Sequence, residues 1–489
     1  MSIRRRIVHL MVFLLAAVMF IPAGGNVAAA AAAGPVNVSG GYAHGLAVWS
    51  DGTVTGWGYN KYGQVGDGTT IDQYIPRKVA GLTNIMQVAA GSNASFALDK
   101  NGEVWAWGQT YGSYVLDDPV LPNQKSGGPV KLAGLQDVTS ITTEGSSGIA
   151  VKKDGTAVLW YPSFEQSDSI MQMKVRYLPL QGISEIRSAV IAGNDALFLT
   201  DTGSVKGLSI YNSVMGRSRW ASDPVRVYTL AASAIKQIAA SSGDAFLLRT
   251  DGQVLRWNNS LQEPVASGLG NIYKLQTGYK RLFMLKTNGT LWQWNYNSGP
   301  LSKPFQVKGA EGITNLWGST GSFGFAQRKD GTLLGWGEGY YSGSATGSGN
   351  VANDEAIAVV PVQPPLSFLV NGQPVSFYGT AGVIDGKLYV PYTSVFKALG
   401  VKTGRSESNP DPRYNNYRFS VWSFVYGSTT VQIKASDPEQ IFINGRKSES
   451  VIPLKGLSDS TQFPLQDLCD LLGVSLQWNK SSGEVRLGN

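Results

Sequence analysis

One tandem pattern limits what this 489-residue chain can fold into: a turn and a short strand, seven times over, with a tryptophan at one offset in six of the seven. The turns are Asp51-Gly52, Asn101-Gly102, Asp154-Gly155, Thr202-Gly203, Asp251-Gly252, Asn288-Gly289 and Asp330-Gly331. Five residues beyond each glycine stand Trp57, Trp107, Trp160, Leu208, Trp257, Trp294 and Trp336. Asp-Gly and Asn-Gly between apolar runs predict two-residue type I′ hairpins, in which both central residues have φ > 0. Upstream runs such as "IMQVAAG", "ITTEG", "IKQIAASSG" and "IYKLQTG" read as a further strand, and "IPRKVAG" and "GPVKLAG" downstream as another. About four short strands per unit of roughly 40 to 50 residues is the pattern of a propeller blade. One small sheet cannot hide both apolar faces alone, so the units must pack side by side in a closed ring. Each tryptophan is the expected wedge between blades, burying about 150 to 250 Å².

The reading is an all-β seven-bladed β-propeller over residues 34–365, followed by a small C-terminal α+β duplicated domain over 366–489. Leu208 and Thr202 break the pattern in the fourth repeat, which predicts a looser blade there. Nothing in the repeats marks how the ring closes. The loop "GWGYNKYGQVGDGTT", residues 56–70, spaces Gly58 and Gly63 like a phosphate-binding loop. Gln64 and Val65 stand where that motif needs Lys and Ser or Thr, so these glycines read as architectural.

Arg4, Arg5 and Arg6, the apolar run from Ile7 to Ile21 and the small residues after Pro22 have the layout of a secretory signal peptide, residues 1–33. Cleavage is expected near Ala30 to Ala33, leaving no membrane span and placing the protein outside a Gram-positive-type cell or on its surface. Losing three arginines takes the formal charge from +7 to +4, with no basic block, so no nucleic-acid partner is expected. Cys469 is the single cysteine and reads as a small buried apolar residue. Beyond "VVPVQPP", Asn371-Gly372, Pro391 and Leu399-Gly400 recur as Asn444-Gly445, Pro464 and Leu472-Gly473, a tandem duplication shifted by 73 residues. Each half predicts a hairpin, a strand and a short helix with Pro at its first position and Gly past its end.

"VSGGYAHGLAVWSDGTVTGWGYNKYGQVGDGTTIDQYIPRKV", residues 38–79, resembles a repeat of the regulator of chromosome condensation family, whose members form seven-bladed propellers. The resemblance extends more weakly through "GEVWAWG" and "GTLLGWG". "GKLYVPYTSVFKALGV" and "STQFPLQDLCDLLGV" resemble the copper amine oxidase N-terminal-like, or stalk, domain. The copper and quinone chemistry of those oxidases belongs to a different domain, so the resemblance implies no cofactor.

His9 leaves with the signal peptide, so His44 stands alone and no histidine-based metal set or triad can be assembled. Asp117-Asp118 and the pair Asp467 and Asp470 read as solvated surface. No catalytic residues, metal site or cofactor are expected. The loops after the tryptophan strands carry candidate partner-binding residues: Tyr59, Asn60 and Tyr62; Tyr111 and Tyr114; Arg217, Arg219 and Trp220; Tyr340 and Tyr341. The expected function is an exported binding scaffold for an extracellular protein or cell-wall glycan. Inhibition of an enzyme, as by a known secreted propeller of this kind, is one form of such binding. A carbohydrate-active hydrolase using carboxylates at the propeller mouth is an alternative. Guanine nucleotide exchange, the activity of the family's namesake, is a further one that export disfavours.

Overall fold

The computed structural model describes residues 34–109, 128–167, 170–210, 227–258, 260–261, 263–296, 302–337, 360–376, 380–384, 386–410, 418–435, 440–450, 452, 455–457 and 460–488. Residues 1–33, and with them the expected signal peptide, lie outside these. The described residues between 37 and 361 form seven four-stranded antiparallel meanders, each with its strands in sequence order. They span residues 37–78, 85–131, 138–179, 186–229, 235–266, 272–306 and 313–361, and are called sheets 1 to 7 below.

The expected turn is corrected by the structure. In the hairpins at Gly52, Gly102, Gly155, Gly203, Gly252, Gly289 and Gly331, only the glycine has positive φ; the Asp, Asn or Thr before it does not. Gly52 N donates to Trp49 O (2.9 Å) and Trp49 N to Thr53 O (2.9 Å), which makes a three-residue loop: a type I turn followed by a left-handed glycine. The same two bonds recur at all seven turns. Asp51 selects this geometry by accepting from Thr53 N (2.9 Å) and Thr53 Oγ1 (2.7 Å). Its side chain thereby closes a local turn that a type I′ loop would not offer.

Each sheet is packed through its third strand against the sheet before it. Trp107 of sheet 2 is buried among Leu46, Val48 and Val54 of sheet 1, and Trp257 of sheet 5 among Leu197 and Leu199 of sheet 4. Trp160 meets Phe96 of sheet 2 at 5.4 Å between ring centres, and Trp336 meets Phe283 of sheet 6 at 5.1 Å. Sheet 1 completes the series against sheet 7, where Trp57 packs edge-on to Phe325 at 5.5 Å within a cluster that includes Trp317, Phe323 and Leu333. A parallel bridge from Gly40 to Ser319 joins these same two sheets.

The indole needs an empty place across the strand pair. Gly45, Gly148 and Gly324 lie directly opposite Trp57, Trp160 and Trp336. A Cβ on Gly45 would stand 2.4 Å from the Trp57 ring, and one on Gly148 2.2 Å from Trp160. Sheet 6 breaks this rule with Leu282 opposite Trp294. Trp294 is accordingly only half-buried, its Nε1 donating to Ser302 O (3.1 Å), while Tyr296 fills the core against Phe246 at 5.1 Å.

Sheet 4 is not loose. Leu208 is buried, and two residues along the adjacent strand, on the same side, Phe198 fills the volume an indole would take. The corresponding residue is Ala47, Ala97, Ala150 and Ala326 in sheets 1, 2, 3 and 7.

The C-terminal unit is a single interlocked core. Strands Lys387–Pro391 and Ser460–Pro464 pair antiparallel, relating the two halves, and Ser367–Val370 pairs parallel with Glu484–Leu487, the last strand. A five-stranded sheet over residues 402–448 completes it. The helices are α1, Tyr392–Ala398, and α2, Leu465–Leu472. Pro391 and Pro464 sit at the N-cap, one place before the expected first helical position, because each is still the last residue of its strand. Gly473 ends α2 at φ 70°, with Val474 N donating to Cys469 O (2.9 Å). Cys469 is buried beside Phe396 in the core, and burial pushes its thiol up to about 12. Ile75 of sheet 1 joins that core and Thr380 Oγ1 donates to Asp72 O (2.7 Å), so the two units touch.

Two outcomes check this packing. Trp257→Ala is expected to cost about 3 to 5 kcal/mol by opening a cavity between sheets 4 and 5; a wild-type-like melting curve would show that Trp257 is not a wedge. Leu208→Trp alone should destabilise by about 1 to 3 kcal/mol through overpacking, and adding Phe198→Ala should restore most of the loss. Additive effects in that pair, measured by denaturant unfolding, would refute the volume exchange.

Candidate functional site

The first strand of each of the seven sheets faces a common axis and lines a central channel of about 700 Å³. These strands are Asn37–Gly40, Ile85–Ala90, Val138–Glu144, Ile186–Ala192, Ile235–Ser241, Ile272–Gly278 and Ile313–Trp317. Their exposed edges are tied to one another by side chains. Asn37 Oδ1 accepts from Val88 N (2.8 Å). Gln87 donates to Ile141 O (2.8 Å) and accepts from Ile141 N (3.0 Å), and Gln237 does the same with Leu275 (2.6 and 3.1 Å). Lys274 Nζ donates to Asn315 Oδ1, and burial lowers its ammonium to about 8. Asn37, Gln87, Gln237 and Lys274 occupy one register position in the repeat, a signal that the tryptophan pattern hid in the sequence.

The turns that join the first and second strands are built differently from sheet to sheet. In sheets 3 to 6 the inner hairpin closes in two residues: Gly145-Ser146, Gly193-Asn194, Ser242-Gly243 and Tyr279-Lys280. Ser242 and Gly243 both have positive φ (56° and 87°), so the type I′ turn expected at the outer hairpins occurs here instead. In sheets 7, 1 and 2 the turns are longer, and backbone bonds latch them to one another and to the two-residue turns of sheets 6 and 3, with Tyr279 N donating to Gly321 O (2.6 Å). Gly321 N donates to Gly41 O (3.0 Å), Tyr42 N to Gly91 O (3.1 Å) and Ser92 N to Gly145 O (3.1 Å).

Glu144 ends the inner strand of sheet 3 and lines the channel. Its Oε2 is buried with no hydrogen-bond partner among the described residues, and burial pushes the carboxyl up to about 7. In the sequence it is only the end of the strand "ITTEG", and nothing there distinguishes it.

His44 is structural. Ser95 Oγ donates to Gln64 O (2.7 Å), so it accepts the proton of His44 Nε2 (2.9 Å), and Trp107 Nε1 donates to the same Gln64 carbonyl (2.9 Å). Complete burial holds the imidazole neutral, with its pKa lowered to about 3. This network also explains Gly66 in the glycine-rich loop: its φ is 82°, and a Cβ there would stand 2.7 Å from Trp107 Nε1.

Of the expected partner-binding residues, Asn60 is corrected. It is fully buried; its Nδ2 donates to Asp67 Oδ1 (3.1 Å), Thr69 O (3.0 Å) and Ile71 O (3.0 Å), and its Oδ1 accepts from Val65 N (2.9 Å). Asn60 therefore braces the loop from inside and presents nothing to a partner. Tyr59 and Tyr62 are half-buried, edge-to-face at 6.2 Å, and do reach the surface. Tyr111, Tyr114, Arg217, Arg219, Trp220, Tyr340 and Tyr341 lie outside the described residues, as does Asp117-Asp118.

The pH dependence of stability separates the two buried groups. His44, depressed in the folded state, contributes stability that is present above about 6.5 and lost as pH falls toward 3. Glu144, raised in the folded state, works the other way: its contribution is present below 4.5 and lost as pH rises through 7. Compared with wild type between pH 6.5 and 3.5, His44→Asn should lose stability less steeply, by up to about 1.4 kcal/mol per pH unit. Parallel profiles in denaturant titrations would contradict a buried neutral imidazole.

A model of the Regulator of chromosome condensation (RCC1) repeat matches residues 51–98. The ultraviolet-B receptor UVR8 of Arabidopsis thaliana is 40% identical over 74 residues, 15% of this chain and 17% of that protein. The E3 ubiquitin-protein ligase HERC2 of Homo sapiens is 33% identical over 135 residues, 26% of this chain and 3% of that protein. The chain thus spans less than a fifth of the length of either relative. Among solved structures, Prp20p of Saccharomyces cerevisiae superimposes with a TM-score of 0.50 at 16% identity, covering 66% of this chain and 86% of that one. At that identity the likeness is one of fold: the chain carries an RCC1 repeat and shares the RCC1 propeller fold.

Proposed function

We propose that this protein is an exported, non-enzymatic binding scaffold: a signal peptide over residues 1–33, a closed seven-bladed RCC1-type propeller over 34–365 and a copper amine oxidase N-terminal-like stalk domain over 366–489. The propeller engages an extracellular protein or a cell-wall glycan through one of its rims, and the stalk presents it. The observation that carries this reading is the rim of the channel, where backbone bonds latch the inner turns of sheets 6, 7, 1, 2 and 3 into one rigid arc. A rigid ring of short loops around a polar channel is a platform for recognition. RCC1 propellers bind proteins, and Prp20p is described by its binding to Gsp1p and histones.

Hydrolysis is the weaker reading. A carboxyl raised to about 7 in a cavity is what a general acid requires, and Glu144 has that property. Glycoside cleavage needs a second carboxylate across the bond, and Glu144 is the one acidic residue among those lining the channel. His44, sealed and neutral, cannot serve as the base. Exchange of guanine nucleotide requires a cytoplasmic partner that an exported chain would not meet.

The test is fractionation of cells expressing the full gene, N-terminal sequencing of the product, and pull-down of envelope fractions on it. The expected result is an exported chain beginning near residue 31 to 34 that retains a defined envelope component. Uncleaved protein in the cytoplasm that accelerates nucleotide exchange on a small GTPase would overturn the proposal.

A further inference from the structure

The channel contains a carboxylate that no described residue pairs with. Glu144 faces the cavity from the end of its strand, its Oε2 is buried, and no hydrogen bond or ion pair reaches it among the described residues. Desolvation of an uncompensated carboxylate is unfavourable, and folds normally remove it with a counter-ion or a neutral side chain. Among the described residues sheet 3 supplies neither. Lys280 is the one cation among the described lining residues; its Nζ lies 5.1 Å from the centre of the Tyr279 ring, and no ion pair joins it to Glu144 among the described residues.

Around the same mouth the structure supplies what a flat, weakly hydrated cation would use. Tyr42 lines the channel and is 61% exposed, an aromatic ring on the turn whose backbone is latched to Gly91. Ser241 and Ser242 bring hydroxyls from sheet 5. Beside Glu144 the inner turn of sheet 3 is only two residues, Gly145-Ser146, and it is held in place by Ser92 N of sheet 2 donating to Gly145 O (3.1 Å). A guanidinium group combines a charged hydrogen bond to a carboxylate oxygen with stacking on tyrosine, which a compact ammonium does less well.

We propose that the mouth of the channel at Glu144 is a binding site for a guanidinium-type cation, with the Glu144 carboxylate as its anchor and the Tyr42 ring as a stacking face. The cation is either free in solution or an arginine side chain projected by the partner. The site deepens the scaffold reading by naming its face and chemistry, and in the partner-borne form it rests on that reading.

The experiment titrates the exported chain with n-butylguanidinium chloride, followed by calorimetry and by the carboxyl resonances of ¹³C-labelled glutamate. Wild type is expected to bind one equivalent and to shift one glutamate carboxyl. Glu144→Gln should weaken binding about tenfold or more, as expected for a lost charged hydrogen bond. Glu103→Gln, which alters an exposed glutamate paired with Lys131, should leave binding unchanged. The labelled wild-type spectrum decides the matter without any substitution if Glu144→Gln folds poorly. No binding by wild type, or equal binding by wild type and Glu144→Gln, would overturn the site.

The source is read from a second arm. An envelope component that is retained by wild type, lost with Glu144→Gln and eluted by n-butylguanidinium identifies a partner's arginine. Binding of the small cation with no envelope component retained identifies a free ligand and removes the scaffold reading while leaving the site. A component retained equally by both chains keeps the scaffold and removes the partner-borne form.

Discussion

The structure depends on an indole having somewhere to lie. A four-stranded meander buries almost nothing by itself, so every sheet here gains its stability from the sheet before it, and the contact is made largely by one side chain at one register position. The tryptophan folds across its strand pair only because glycine, alanine or serine stands opposite it, as at Gly45, Ser95, Gly148, Ala245 and Gly324. Large residue and small residue are one unit of design, and both halves of the unit are required before neighbouring sheets can approach. The same requirement, carried around the series, brings sheet 1 against sheet 7 through Trp57 and Phe325.

Where the unit is altered, the packing is recovered by a different route. Sheet 4 exchanges the volumes, Leu208 for tryptophan and Phe198 for alanine. Sheet 6 places Leu282 opposite Trp294, moves the indole partly into solvent and fills the gap with Tyr296. Both follow from close packing, which fixes the total volume at an interface more strictly than the identity of any residue in it.

Much of this was legible in the chain itself. The turn glycines and the tryptophans five residues later predicted the repeated sheets, the internal duplication predicted the paired halves of the C-terminal unit, and the burial of Cys469 followed from its place on the helix. What was not legible depended on contacts between repeats. Asp-Gly by itself favours a type I′ outer turn, but the Asp51 side chain binding Thr53 selects the three-residue loop. Asn60 looked like a surface amide in a loop, and only the folded loop shows its donors turned inward. The belt of Asn37, Gln87 and Gln237 and the unaccompanied Glu144 are products of the ring, because each takes its meaning from a neighbouring sheet or from the cavity.

Closure of the ring is the claim on which the channel, its rims and its site all rest. Three backbone bonds carry it between sheets 1 and 7: Gly40 N to Gly318 O, Thr320 N to Gly40 O and Gly321 N to Gly41 O, each 3.0 Å. Hydrogen exchange of those three amide protons measures it directly. A closed ring predicts that they exchange as slowly as amides in the middle of the sheets and only through opening of the whole ring. Rapid exchange at these three positions, with the rest of the sheets protected, would mean an open array.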